Sequence, residues 1–352
     1  MGCCGPSNTN SYITETTNDT NNDNNSSISN IEDEKYIYIS KAGAGFSGKS
    51  IKVISDKTNK YYIIKIIEEA NKLKSAIIEA QLLGKCKHPN IVKIKQVYKK
   101  RDVGNISVNI VTEYANDGDL FKKLEENEFY GEEILLFWLM QICFGLSYLH
   151  KKDIIHRDIK PQNIFLNKNG LIKIGDLGFS KLIKNKKEWI KKQTFLGTKK
   201  YMSQEMKQKK EYNSKTDIFS LGQTVKDFIK DETKYSDNFN KLINSMIEKE
   251  PSNRPSADEI LNNPLIKDKM KKFLEIHNFK NSLAFKIFET IKDQKLEDED
   301  SFFKKVKKER KKLCKDENED EDKETKIENE KIIEKDLDIL MCYINKRLYD
   351  ES

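Results

Sequence analysis

The stretch His156 to Asn163 reads HRDIKPQN, and after seven intervening residues the run Leu171 to Gly178 reads LIKIGDLG. Together they set out a histidine, an arginine, the carboxylate of Asp158, the ammonium of Lys160 and the amide of Asn163. A second carboxylate, Asp176, follows at the end of a β-prone run, just before Leu177 and Gly178. Residues of these kinds also form ordinary turns. A turn-only explanation, however, would have to produce the HRD, the following Asn and the DLG together and in this order.

Working outward, Tyr36 to Ile39, Ile51 to Val53, Tyr61 to Ile66 and Val108 to Val111 are rich in Ile, Val and Tyr and read as strands. Between the first two lies KAGAGFSGKS, residues 41–50, in which Gly43, Gly45 and Gly48 have the spacing GxGxxG that lets backbone amides approach a phosphate. The same residues from Gly43 to Ser50 also fit GxxxxGKS, the pattern of a P-loop. A P-loop must open a helix whose first amides hold the phosphates. Here the continuation IKVISDKTNKYYIIKII contains two β-prone runs around a turn at Asp56 to Lys60, which favours a hairpin and leaves a P-loop NTPase as the weaker reading. On the C-terminal side, Glu132 to Leu149 and Thr216 to Ile229 carry apolar residues at helical spacing. A small strand-rich part thus precedes a larger helical part, with no internal repeat.

On these motifs the chain resembles a eukaryotic protein kinase from about residue 35 to residue 273. The resemblance implies an α+β, bilobal protein-kinase fold, with a small β-rich N-lobe over about 35–113 and a larger helical C-lobe over about 114–273. It implies ATP and Mg²⁺ as cofactors. Gly43, Gly45, Gly48, Lys65, Glu79, Glu113 and Ala115 become ATP-site residues, Lys65 standing in YIIK as the phosphate-holding lysine and Glu79 as its ion-pair partner ahead of HPNIV, His88 to Val92. Asp158 becomes the base that accepts the substrate hydroxyl's proton, and Asn163 and Asp176 the Mg²⁺ ligands. Lys160, in the form HRDxKPxN, implies a Ser or Thr acceptor and reaches the transferring phosphate. Protein substrates follow from the same likeness.

Further along, TFLGTKKYMSQE, Thr194 to Glu205, matches the end of that family's activation segment, with SQE in place of the usual APE or SPE. By resemblance Glu205 pairs with Arg254 of NRPS, and Asp217 and Gly222 in TDIFSLG support the catalytic loop. Arg157 could meet a phosphate on the activation segment, which makes Thr194 the expected regulatory phosphosite and an upstream kinase an expected partner. QNIFLNKNGLIKIGDLGFSKL together with TFLGTKKYMSQE is similar to the NIMA-related kinases. A calcium/calmodulin-type kinase is the alternative, although the tail holds no EF-hand loop. Ser50 stands where the family usually has Val and Ile63 where it has Ala, a departure worth about 1 kcal/mol of ATP affinity. These two keep a nucleotide-binding pseudokinase scaffold as the rival reading. Lys199 and Gln204 replace prolines in the substrate-facing part and leave the peptide preference open.

Composition separates the ends from the middle. Of 352 residues, 34% are charged and 37% hydrophobic, with 64 Lys and Arg against 57 Asp and Glu, a net charge of +7. Residues 1–34 hold six acidic and no basic side chains, so the rest of the chain carries thirteen positive charges net, spread over the activation segment and tail rather than over a nucleic-acid footprint. No nucleic-acid partner is expected. Six Cys without a CxxC pair and four His speak against a disulfide framework or a zinc site, and for a reducing, cytoplasmic setting. The apolar run Ile134 to Leu149 falls short of a membrane span.

The Asn-, Asp-, Ser- and Thr-rich leader 1–34 is expected to be disordered. It begins MGCCGPSN, where Gly2 is positioned for myristoylation and Cys3 or Cys4 for palmitoylation, which would tether the kinase to the cytoplasmic face of a membrane. Residues 274–352 read as a charged helical tail. In it Ile333, Leu337, Leu340, Ile344 and Leu348 form one apolar face, suited to docking on the kinase domain itself or to a partner helix within 333–348.

Overall fold

The computed structural model describes residues 12–13, 35–45, 48–102, 105–167, 170–182 and 198–268. Gly2, Cys3, Cys4, Thr194 and the apolar helix face at 333–348 lie outside the described residues. Two units result, and they interleave in sequence. The first runs through Lys87 and adds Val92–Asn116 and Asp176–Ser180; the second takes His88–Ile91, Asp117–Gly175 and the chain from Lys181.

The first unit is a six-stranded antiparallel sheet with one long helix. Its strands are β1 (Tyr12–Ile13), β2 (Tyr36–Gly45), β3 (Gly48–Ser55), β4 (Tyr61–Ile67), β5 (Ile94–Asp102) and β6 (Asn105–Glu113), in the order β1-β2-β3-β4-β6-β5. Directly opposed residues share a face. Tyr36, Val53, Ile64 and Val111 therefore build an apolar core on one face. Lys65 opposes Ser50 and Ile110 on the other, where Val108 and Ile110 are buried and α1 (Ala70–Lys85) packs. The strand β1 departs from the disorder expected across 1–34: Tyr12 and Ile13, a β-prone pair in an otherwise polar leader, find the open edge of β2.

The glycine loop is a hairpin, with Gly45 opposite Gly48, and β3 continues from it without opening a helix. That removes the P-loop reading, because GKS lies in a strand and presents no helix N-terminus. Gly48 sits at φ +124°, and a Cβ there would come within 2.5 Å of the Ile66 carbonyl oxygen, so only glycine lets the two strands meet.

The second unit is mainly helical: α2 (Leu120–Glu125), α3 (Glu132–Lys151), α4 (Gln204–Lys207), α5 (Lys215–Lys226), α6 (Asp237–Met246) and α7 (Ala257–Leu261). Two short strand pairs complete it, β7 (Ile154–Ile155) with β10 (Lys181–Leu182) and β8 (Ile164–Leu166) with β9 (Ile172–Ile174). At 20 residues α3 is long and apolar enough to cross a membrane by length and composition, extending past the apolar run seen in the sequence. It is buried from Leu135 to Leu149 except Phe137, which makes it the core helix of this unit.

The segment His88–Ile91 joins this second unit through buried Ile91, the His88 ring 5.0 Å from Tyr148, and a set of polar bonds. Ile91 bridges Ile174, the Ile174 N–H donates to Asn90 O at 2.8 Å, and Lys173 Nζ donates to Pro89 O at 2.9 Å. Gln141 on α3, itself buried, accepts from the Asn90 amide at 3.3 Å and from the Ile172 N–H at 2.9 Å, and donates to Gly170 O at 3.0 Å.

Candidate active site

In the first unit, β4 and α1 bring Lys65 and Glu79 together across 14 residues of chain. Lys65 Nζ donates to both Glu79 oxygens at 2.9 Å and to Asp176 Oδ1 at 2.7 Å. One half-buried ammonium thus faces two carboxylates. Burial raises the Glu79 carboxyl to about 7, against the opposing pull of Lys65. Burial alone would lower Lys65, but the charges of Glu79 and Asp176 outweigh it and hold the ammonium above its ordinary value. Asp176 adopts the left-handed conformation at φ +58°, which ends β9's extension and lets its side chain accept from the Gly178 N–H at 3.3 Å. A Cβ on Gly178 would sit 3.0 Å from Asp176 Oδ1 and 3.1 Å from Glu79 Oε2, so the glycine makes room for both carboxylates.

Of the other residues expected at the ATP site, Gly43 lies in β2 with open space around its Cα, and Gly45 and Gly48 close the hairpin. Glu113 ends β6 and accepts from the Lys93 N–H at 2.7 Å through its side chain, and Ala115 is half-buried two residues on. Ser50 and Ile63 share the Lys65 face, Ser50 directly opposite the lysine.

In the second unit, the loop from His156 to Asn163 is built around Asp217 of α5. Asp217 Oδ2 accepts from the His156 N–H at 2.9 Å and lies 2.8 Å from His150 Nε2, while Oδ1 accepts from the Arg157 N–H at 2.8 Å. Burial would raise this carboxyl, but the bonds and charges of the two histidines hold it below its usual range. The bonds also hold Arg157 at φ +69°, a strained conformation that costs about 1–3 kcal/mol elsewhere unsupported. Arg157 Nη1 donates to Tyr212 OH at 3.1 Å.

Asp158 is buried and doubly held. Lys160 Nζ lies 2.7 Å from its Oδ2, Asn163 Nδ2 donates to the same oxygen at 2.9 Å and to the Asp158 carbonyl at 2.8 Å, and the Thr198 N–H donates to Oδ1 at 3.3 Å. Lys160 Nζ also donates to Thr198 Oγ1 at 3.1 Å. With the Asn163 nitrogen committed in this way, its amide oxygen accepts from no group among the described residues, which suits a hard oxygen-seeking cation. Among the described residues no three His, Cys, Asp or Glu are grouped to hold a metal by themselves.

Glu205 and Arg254 also meet, at 2.6 Å and 2.9 Å through both guanidinium ends. Sequence reasoning assigned no role to Thr198 or Gln141. Thr198 carries no sign beyond its place in TFLGTKKYMSQE, and a lone Gln in an apolar helix, as Gln141 is, was the one signal available for the second.

The sheet-and-helix unit, the helical unit and these two clusters define a protein kinase domain, and the chain belongs to that family: the family's Protein kinase domain model matches residues 36–236. Within it the chain is of the NIMA-related serine/threonine type. It is 32% identical over 271 residues to Serine/threonine-protein kinase Nek1 of Mus musculus, covering 68% of this chain and 22% of that protein. To Nek4 of Mus musculus it is 34% identical over 277 residues, covering 70% and 34%, and to Nek5 of Homo sapiens 33% identical over 275 residues, covering 68% and 38%. The matched part spans well under half the length of these three relatives.

Proposed function

We propose that this chain is an active protein kinase that transfers the γ-phosphoryl group of ATP to Ser or Thr hydroxyls of protein substrates. The observation that carries this reading is the setting of Asp158: a buried carboxylate held by Lys160, Asn163 and the Thr198 N–H. Phosphoryl transfer asks the protein chiefly to orient the acceptor and neutralise charge. Asp158 is placed to receive the hydroxyl's proton, and Lys160 to steady the transferring phosphate. Lys65, anchored by Glu79, is suited to the ATP phosphates, with the hairpin of Gly43, Gly45 and Gly48, and with Glu113 and Ala115, as further ATP contacts. Asn163 and Asp176 would hold Mg²⁺, which when bound neutralises charge on the phosphates. The pseudokinase alternative is disfavoured because Lys65, Asp158, Asn163 and Asp176 are all retained. Ser50 beside Lys65 weakens ATP binding without removing a reacting group. The test is phosphate incorporation into a generic Ser/Thr substrate by the purified chain with Mg·ATP, compared with Asp158→Asn. Loss in the variant is expected; equal incorporation by both overturns the assignment.

Three finer readings rest on sequence alone. Phosphorylation of Thr194 by an upstream kinase activates the chain by gathering Arg157 and neighbouring lysines; Thr194→Ala matching wild-type activity after incubation with that kinase and ATP refutes it. Acylation at Gly2 and at Cys3 or Cys4 tethers the chain to the cytoplasmic face of a membrane, and a Gly2→Ala variant with an unchanged membrane fraction refutes that. The 333–348 face docks a helix, and deleting it without any change in mass or melting temperature removes the idea.

A further inference from the structure

Lys199 and Lys200 are the central residues of a tight turn closed by the Tyr201 N–H donating to Thr198 O at 3.0 Å. The turn begins on the residue that touches Asp158: the Thr198 N–H donates to Asp158 Oδ1 at 3.3 Å, and Thr198 Oγ1 accepts from Lys160 Nζ at 3.1 Å. Its far end is bolted down too. Tyr201 is buried, its hydroxyl donates to Asp227 at 2.7 Å, and its carbonyl accepts from Ser220 Oγ at 2.8 Å. Both lysines are therefore presented on a rigid turn directly beside the base.

Their charges are used differently. Lys200 is neutralised by Asp227 at 2.7 Å. Lys199 is exposed and meets neither a carboxylate nor a ring among the described residues. The carboxylate of Glu205, further along, is committed to Arg254. On the turn beside Asp158, Lys199 is thus the ammonium that no carboxylate among the described residues neutralises.

We infer that Lys199 selects acceptor segments carrying an anionic side chain, whether Asp, Glu or a phosphorylated residue, adjacent to the Ser or Thr that receives phosphate. This rests on the kinase reading and deepens it by naming the substrate class. An exposed ammonium attracts a unit negative charge with about 1 kcal/mol at contact distance in water, roughly a fivefold effect on KM, and more for a dianion or for several lysines acting together.

The experiment uses the full chain with Mg·ATP and four peptides that differ only beside a single serine: neutral, glutamate-flanked, phosphoserine-flanked and lysine-flanked. The glutamate and phosphoserine peptides are expected to show KM values about five- to tenfold below the neutral one, an advantage that shrinks as salt is raised, with the lysine peptide poorest. Whichever anionic peptide leads identifies the source of the charge, and either order supports the inference. Lys199→Ala should level the series, and Lys199→Glu should invert it, the readout being the ratio of KM values between peptides rather than the absolute turnover. If Lys199→Glu fails to fold, the alanine variant and the salt series decide. Equal KM for neutral and anionic peptides in the wild type, or an unchanged order in the variants, overturns the inference and leaves the kinase reading standing. Turnover of none of the four overturns both.

Discussion

Two buried ion-pair sites, one in each unit, are made from the same ingredients and balanced in opposite ways. At Arg254 every donor is used: Nη1 and Nη2 bond the two Glu205 oxygens, Nε donates to Glu248 O at 2.7 Å, Nη2 to Lys249 O at 2.9 Å and Nη1 to Lys215 O at 3.3 Å. One cation meets one carboxylate, the fork of the guanidinium is saturated, and Glu205 is held below its usual range because Arg254 outweighs the burial that would raise it. At Lys65 one cation meets two carboxylates, and burial pushes Glu79 up to about 7. The first site is electrically closed and can only hold structure. At the second, two carboxylates share one ammonium, an arrangement suited to a metal- and phosphate-handling site.

This contrast can be broken by experiment. Arg254→Met should cost the most, about 3–5 kcal/mol of unfolding free energy, because it leaves Glu205 buried without a partner; chemical denaturation measures it, and a loss under about 1 kcal/mol would show the pair to be dispensable. Lys65→Met should do the reverse. Phosphate transfer should fall by on the order of a hundredfold or more, while the denaturation midpoint barely moves, since Glu79 can take up a proton in place of the lost ammonium. A large stability loss here would erase the distinction between the sites. Gln141→Leu probes a third buried polar centre, saturated but uncharged: orphaning the Ile172 N–H and the Gly170 carbonyl should cost about 1–3 kcal/mol, read from the same denaturation curves.

The smallest effect is a pH dependence of opposite sign at the two carboxylates. Glu79 is raised from its ordinary 4.5, so its contribution to stability is present in full below 4.5 and is lost as pH climbs through about 7. Glu205 is lowered, so its contribution is present above 4.5 and is lost as pH falls below it. Glu79→Gln should flatten stability between pH 4.5 and 7, and Glu205→Gln should flatten the acid limb. Identical pH profiles for both variants would contradict the opposed shifts.

Much of this was legible in the sequence where the signal is local. The hairpin of Gly43 to Gly48 could be separated from a P-loop by the β-prone runs around it, and the order of Asp158, Asn163 and Asp176 was visible as a pattern. The strand Ile94–Asp102 was missed because IKQVYKKRD looks like charged surface; it forms because β6 offers a partner edge. The short strand at Tyr12 was hidden by its polar leader for the same reason. A cut of the lobes near residue 113 also could not show that His88–Ile91 joins the helical unit, or that Asp176–Ser180 joins the sheet. Those memberships rest on contacts between residues far apart in sequence, such as Asn90 with Gln141 and Lys65 with Asp176.

By itself, then, the sequence determined the chemical inventory and its order: the lysine, the glutamate, the catalytic-loop acid and amide, and the second acid. Motif spacing and strand or helix period are local properties that neighbouring residues impose. Only the tertiary structure decided which charges are balanced. Whether Lys65 faces one carboxylate or two, whether all five donors of Arg254 are filled, and whether the turn that carries Lys199 lies against Asp158 are set by contacts between residues 14 to 111 positions apart. Electrostatic energy depends on distance and burial, and neither is written along the chain.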